Sequence, residues 1–185
     1  MPLFYTGRGD KGESFVGKNK IDKASAELEA LGDLDELNSL IGLIRAQNIN
    51  KEFEDILIGI QENLFTIQAS LAEFMMQGDS EYPYKAPELN KKKIAEIEKI
   101  IDNYEVEVGP SRKFVIPGSS NGSSWLDYAR AVSRRSERSI VKYSRVRNLA
   151  PEITSYMNRL SSLLYAMART EAKRKEAKEE NPKYK

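Results

Sequence analysis

The chain has 185 residues, enough for one domain with a sizeable core, and a formal net charge of +1, so no bulk basic field argues for nucleic acid. It has no cysteine and no histidine, which excludes disulfides, thiolate metal sites, cysteine nucleophiles, His-based triads and the Glu-x-x-His di-iron bundle. Chemistry must then rest on carboxylates, Lys, Arg, Ser/Thr, Tyr, backbone groups or a borrowed cofactor.

The opening Met1-Pro2-Leu3-Phe4-Tyr5-Thr6 lacks the charged and apolar regions of a signal peptide, and no run approaches the ~18 apolar residues of a membrane span. A cytoplasmic protein is expected. Arg8-Gly9-Asp10 and Asn121-Gly122-Ser123 spell an adhesion tripeptide and a glycosylation sequon, and neither has meaning in that compartment.

Residues 1–22 are rich in glycine and polar groups and show no helical period, so a loop is expected, ordered or ligand-dependent. Helical periodicity then begins. Ser25 is placed to cap a first helix carrying Leu28, Leu31, Leu34, Leu37, Ile41 and Ile44 inward to about residue 46. A second helix spans about 51–76, with Ile56, Ile60, Leu64, Ile67, Leu71 and Phe74 on one face. Pro83 and Pro87 mark a connection. A shorter helix over about 88–104 turns Ile94, Ile97 and Ile101 inward. Gly109-Pro110 and Pro117-Gly118 punctuate a second loop, and a fourth helix covers about 123–146. A fifth starts near Pro151 with Ile153, Met157, Leu160, Leu164 and Met167 inward. Past Arg169 the chain is nearly all Lys, Arg and Glu, so residues 171–185 are expected to be a frayed, solvated, dispensable tail. The sum is an all-α, antiparallel five-helix bundle in one domain, residues 1–170, with no confident strand.

Four segments carry candidate chemistry. Thr6-Gly7-Arg8-Gly9-Asp10-Lys11-Gly12 packs three glycines into seven residues beside a lysine, which suits close backbone approach to an anion or an ordinary surface loop. Asp35, Asn38 and Gly42 share a stripe on the first helix. Asp35 is then either part of a solvated acidic patch or the partner of an arginine on another helix or subunit. On the fourth helix Arg130, Arg134 and Glu137 fall at i, i+4 and i+7, with Asp127 one turn back. That face can hold a polyphosphate and its counter-ion, or merely be a charged surface. The opposite side, Trp125, Ala129, Val132, Ser136, Ile140 and Tyr143, is fit for core packing. Asn158, Ser162, Tyr165 and Arg169 form a polar stripe on the last helix.

Taken in order, these segments resemble the cobalamin adenosyltransferases of the PduO type. The resemblance rests on four motifs. They are Thr6-x-x-Gly9-Asp10-Lys11-Gly12; Lys23 nine residues before Gly32-x-x-Asp35-Glu36-Leu37-Asn38-Ser39; Phe114-x-x-Pro117-Gly118 leading to Ala129-Arg130-x-x-x-Arg134-Arg135-x-Glu137-Arg138; and Asn158-Arg159-Leu160-Ser161. The chain departs from the family where Gly7-Arg8 precede Gly9-Asp10, where Glu13 and Ser14 follow the Lys-Gly pair, and where Asp127 and Ser162 replace a usual histidine and aspartate.

The resemblance implies transfer of the 5′-deoxyadenosyl group of ATP to cob(I)alamin, by a homotrimer with sites at subunit interfaces. It implies that Thr6, Gly9, Asp10 and Lys11 wrap ATP, that Lys23, Arg130 and Arg134 hold the triphosphate, and that Glu137 and Asn158 help place Mg²⁺. It further implies that Asp35 pairs with Arg130 of a neighbouring subunit and that Phe114 lies under the corrin of cobalamin. A flavoprotein reductase and a B12-dependent enzyme are the partners it suggests.

Overall fold

The computed structural model describes residues 4–47, 49–79, 85–109 and 113–184. Pro83 and Pro110, two of the expected chain breakers, lie outside them. Five helices dominate: α1 (Ala26–Arg45), α2 (Lys51–Met75), α3 (Lys91–Val108), α4 (Asn121–Ser144) and α5 (Pro151–Arg174). Side-chain contacts fix their directions. Gln61 on α2 donates to the backbone oxygen of Asn38 on α1, and Asn63 on α2 meets Tyr156 on α5. Glu29 pairs with Lys142 and Asp33 with Arg135, so α1 and α4 run antiparallel. Glu98 and Glu107 on α3 meet Arg159 and Arg174 on α5, so those two helices run the same way. Successive helices therefore alternate in direction.

The inward residues follow the 3.6 period. Leu34, Leu37 and Ile41 of α1, Leu57, Leu64, Ile67 and Leu71 of α2, and Met157, Leu160, Leu164 and Met167 of α5 are all fully buried. Removing area of this kind from water is the main driving term, at about 25 cal/mol per Å² of apolar surface. On α4 the inward face includes Ser133, Ser136 and Ser139. Such small side chains let α1 approach closely. Ser136 Oγ donates to the Asp33 backbone oxygen at 2.9 Å, and Ser139 Oγ donates to the Asp33 carboxylate.

Local sequence sets the helix starts. Ser25 and Asn50 accept from Leu28 and Phe53 at the heads of α1 and α2. Asn90 accepts from Lys92, so α3 begins three residues later than its apolar pattern suggests. Ser120 and Ser123 form a reciprocal capping box that starts α4.

Two expectations are corrected. Residues 13–22 are not loop: β1 (Glu13–Val16) and β2 (Asn19–Asp22) form an antiparallel hairpin. Its two-residue turn places Gly17 at φ +62, as a first turn position with positive φ requires. The hairpin is moored to the end of α2 by Asn19 Nδ2, which donates to the Met75 oxygen at 2.7 Å.

Nor does α5 fray at Arg169. It continues to Arg174, with Thr170 and Ala172 fully buried. Arg174 grips Glu107 of α3 through two hydrogen bonds, at 2.7 and 2.8 Å, and reaches Glu52 of α2 at 2.8 Å. Tyr104 adds a 2.6 Å bond to Glu52. These contacts hold the Glu52 carboxyl below the usual carboxylate range, through Tyr104 first and Arg174 second. Arg174 does the same to Glu107. Beyond the helix, Glu179 bonds Arg169 at 2.6 Å. The tail is charged because it pairs with the body of the domain.

Candidate active site

The expected site residues fall into two groups. The first is built by the hairpin. Its return strand brings Lys23 against the glycine-rich loop, where Lys23 Nζ donates to the Gly9 oxygen at 2.9 Å. The Lys23 N–H donates to the Gly12 oxygen, also at 2.9 Å. A methyl group on Gly9 would lie 2.9 Å from Lys23 Nζ and 3.3 Å from the Glu13 oxygen, so glycine permits this close approach. Thr6, Asp10 and Lys11 are exposed beside it. Thr6 Oγ1 accepts from the Arg8 N–H at 3.3 Å. Lys11 and Lys23 are both exposed there.

The second group lines a groove of about 560 Å³ between the end of α3, the segment 113–117, α4 and α5. Arg130 and Arg134 project into it from α4, and Tyr165 and Ser162 from α5. Phe114 stands at its edge, 75% exposed, with Val108, Val115, Pro117 and Ala166 as apolar neighbours in the lining. Arg130 lies over the Tyr165 ring at 5.4 Å, within cation–π range. One turn beyond Arg134, Glu137 accepts from Asn158 Nδ2 at 3.0 Å, and Asn158 Oδ1 accepts from Arg159 at 2.8 Å.

Pairing separates the arginines of α4 sharply. Arg135 is committed to α1, at 3.4 Å from Asp33 and in contact with Glu36. Among the described residues neither Arg130 nor Arg134 joins an ion pair. A cationic face without counter-ions beside an apolar wall can receive a polyanion joined to a large apolar body.

Asp35 is the expected residue that neither group takes up. It is exposed on α1 and has no ion-pair partner among the described residues. Asn38, on the same expected stripe, is buried instead, and its side-chain oxygen has no hydrogen-bond partner. Among the described residues the carboxylates that α1 gives to α4 are Glu29, Asp33 and Glu36.

The two groups stand apart. Lys142 is level with Glu29 near the start of α1, and Arg130 lies twelve residues further along α4, about 18 Å at the ordinary helical rise. Arg130 also faces α5 rather than α1. Within one chain the glycine loop and the arginine groove are separate.

The sequence marks Asp127 and Arg169 but not the pairing that joins them with Glu179 beside the groove. Arg169 is 95% buried, pairs with Asp127 and Glu179, and lies over the same Tyr165 ring at 5.1 Å. Asp127, where histidine is common in the resembling family, therefore anchors Arg169 rather than extending the phosphate face. The signal was present in the Asn158, Ser162, Tyr165, Arg169 stripe, but the partners of Arg169 lie far from it in sequence.

Metal-holding capacity is narrow. Among the described residues no three carboxylates converge. Glu137 offers one carboxylate beside Asn158, which suits a divalent cation that keeps most of its ligands as water and substrate phosphate. No helix of the described residues is long and apolar enough to cross a membrane.

Comparison with known proteins agrees with this geometry. A Lactobacillus reuteri PduO-type ATP:corrinoid adenosyltransferase variant, solved with cobalamin and ATP, superposes with a TM-score of 0.87 at 30% identity, covering 97% of this chain and 98% of that one. A corrinoid adenosyltransferase from Bacillus subtilis is 36% identical over 169 residues, 89% of this chain and 84% of the relative. A corrinoid adenosyltransferase PduO from Citrobacter freundii is 38% identical over 172 residues, 90% of this chain but 49% of the relative. The chain thus spans about half the length of the PduO relatives it matches. The sequence profile of the cobalamin adenosyltransferases covers residues 4–171, and the chain belongs to that family.

Proposed function

We propose that this protein transfers the 5′-deoxyadenosyl group of ATP to cob(I)alamin, releasing triphosphate. The observation that carries the reading is the pair Arg130 and Arg134, without counter-ions among the described residues, facing an apolar edge that holds Phe114. Family membership and the L. reuteri complex with cobalamin and ATP support it.

In the proposed reaction the cobalt of cob(I)alamin attacks C5′ of ATP. A Co–C bond forms, the C5′–O bond breaks, and its electron pair leaves with triphosphate. Co(I) is itself a strong nucleophile, so a chain with neither cysteine nor histidine suffices. The protein orients C5′ against cobalt, an effect that contributes up to about 7–11 kcal/mol in ideal cases. Lys23, Arg130 and Arg134 stabilise the leaving triphosphate. Thr6, Gly9, Asp10 and Lys11 wrap the nucleotide. Mg²⁺ enters with ATP, and Glu137 and Asn158 help place it. Phe114 lies under the corrin, where an apolar ring disfavours a lower axial ligand and eases reduction of Co(II).

We further propose that the two half-sites meet across subunits of a homotrimer, the glycine loop of one chain closing over the arginine groove of the next. Their separation within one chain supports this, as does exposed Asp35, which is then the partner of Arg130 in the neighbouring subunit. The resemblance extends to a cytoplasmic setting, a flavoprotein reductase as electron source and a B12-dependent enzyme as consumer.

The test is the anaerobic absorbance spectrum of chemically reduced cob(I)alamin with MgATP and the protein. Conversion to a light-sensitive alkylcobalamin is expected. No conversion despite ATP binding by calorimetry would reduce the protein to a nucleotide or corrinoid carrier, and no ATP binding would remove the site.

A further inference from the structure

The C-terminal tail does more than cover the end of the bundle. At the end of α5, Glu176 adopts a left-handed conformation, φ +50, that non-glycine residues avoid. The Glu176 N–H donates to the Lys173 oxygen at 3.0 Å and the Ala177 N–H to the Ala172 oxygen at 2.9 Å, a Schellman-type reversal. That reversal sends the chain back along α5 toward the groove. A strained residue persists only where its surroundings impose it, and here the surroundings are specific. Glu179 bonds Arg169 at 2.6 Å. The Ile116 N–H donates to the Glu180 oxygen at 2.8 Å, in an antiparallel bridge. Asn181 Nδ2 donates to the Phe114 oxygen, also at 2.8 Å.

Among the described residues the polar contacts that hold the backbone of Phe114 and Ile116 come from the tail. Phe114 is otherwise an exposed ring on an irregular segment. From this geometry we infer that residues 176–184 are a strap that positions Phe114, with Asn181 and the Glu180 backbone as its contacts. Asn181 touches no proposed substrate; it acts through the Phe114 carbonyl. The functional arm of this inference rests on the adenosyltransferase reading, and the structural arm does not.

The test uses two variants: Asn181→Asp, isosteric but without the donated N–H, and a chain ending at Lys175. Amide hydrogen exchange at Ile116 should accelerate about tenfold or more in the truncated chain, because its acceptor is gone. Turnover starting from cob(II)alamin should fall about tenfold in both variants, while turnover from pre-reduced cob(I)alamin and ATP affinity for Asn181→Asp stay within about threefold. Unchanged exchange at Ile116 in the truncated chain would overturn the strap whatever the activity. Faster exchange with undiminished cob(II)alamin turnover would overturn its positioning role, as would equal losses from both cobalt states. A full-length chain that fails to alkylate cob(I)alamin would sink the functional reading instead, and the exchange experiment would still decide the strap.

Discussion

Arg130 and Arg169 both lie over one ring, 5.4 and 5.1 Å from the centre of Tyr165. Arg169 is buried and neutralised by Asp127 and Glu179, whereas Arg130 has no counter-ion among the described residues. Tyr165 therefore connects a fixed cation to a receptive one. Tyr165→Phe keeps the ring and should leave the KM for ATP near wild type. Tyr165→Ala should raise that KM by about two- to fivefold, the weight of an exposed cation–π contact of about 0.5–1 kcal/mol. Steady-state kinetics of the pair checks it.

Adjacent arginines on α4 should separate stability from activity. Arg135→Ala loses a half-exposed pairing with Asp33 and Glu36, so Tm should fall by about 2–4 °C with kcat unchanged. Arg130→Ala should leave Tm in place and cut kcat by about 10²–10³, the usual loss for one preorganised group facing developing charge. Calorimetry and single-turnover kinetics on both variants decide it.

Asp35→Asn should not disturb the folded chain, because Asp35 is exposed and has no ion-pair partner among the described residues. It should weaken assembly or ATP binding. Sedimentation and calorimetry with wild-type results in both would remove the proposed Asp35–Arg130 contact.

Acid should loosen the Arg174 corner. Glu52 and Glu107 have depressed pKa values, through Tyr104 and Arg174 for Glu52 and Arg174 for Glu107. A depressed folded pKa means that the contribution is present above the unfolded value, near about 4.3, and is lost as pH falls through the folded one. Glu107→Gln should therefore be less stable than wild type at pH 7, and the difference should shrink below about pH 4. Thermal melts across that range measure it.

Much of this was legible in the sequence. The 3.6 period gave five helices, and the i, i+4, i+7 spacing put Arg130, Arg134 and Glu137 on one face, where they stand. The hairpin was not legible, because two four-residue strands with a polar majority alternate too briefly to register. Nor was the division of labour between Arg134 and Arg135. Neighbours on a helix point about 100° apart, and only packing shows that α1 takes the second. The tail misled for a related reason. Its partners include Glu52 and Glu107, and residues so distant in sequence leave a charged segment looking solvated.

The central claim is that the glycine loop and the arginine groove work as one site from two chains. Lys23→Ala and Arg130→Ala should each be nearly inactive alone. Co-assembled at equal amounts in a trimer, they should recover about a quarter of wild-type alkylation of cob(I)alamin, since one neighbour pairing in four unites two intact half-sites. Mixed trimers with no recovery would contradict the account and put both half-sites in the same chain.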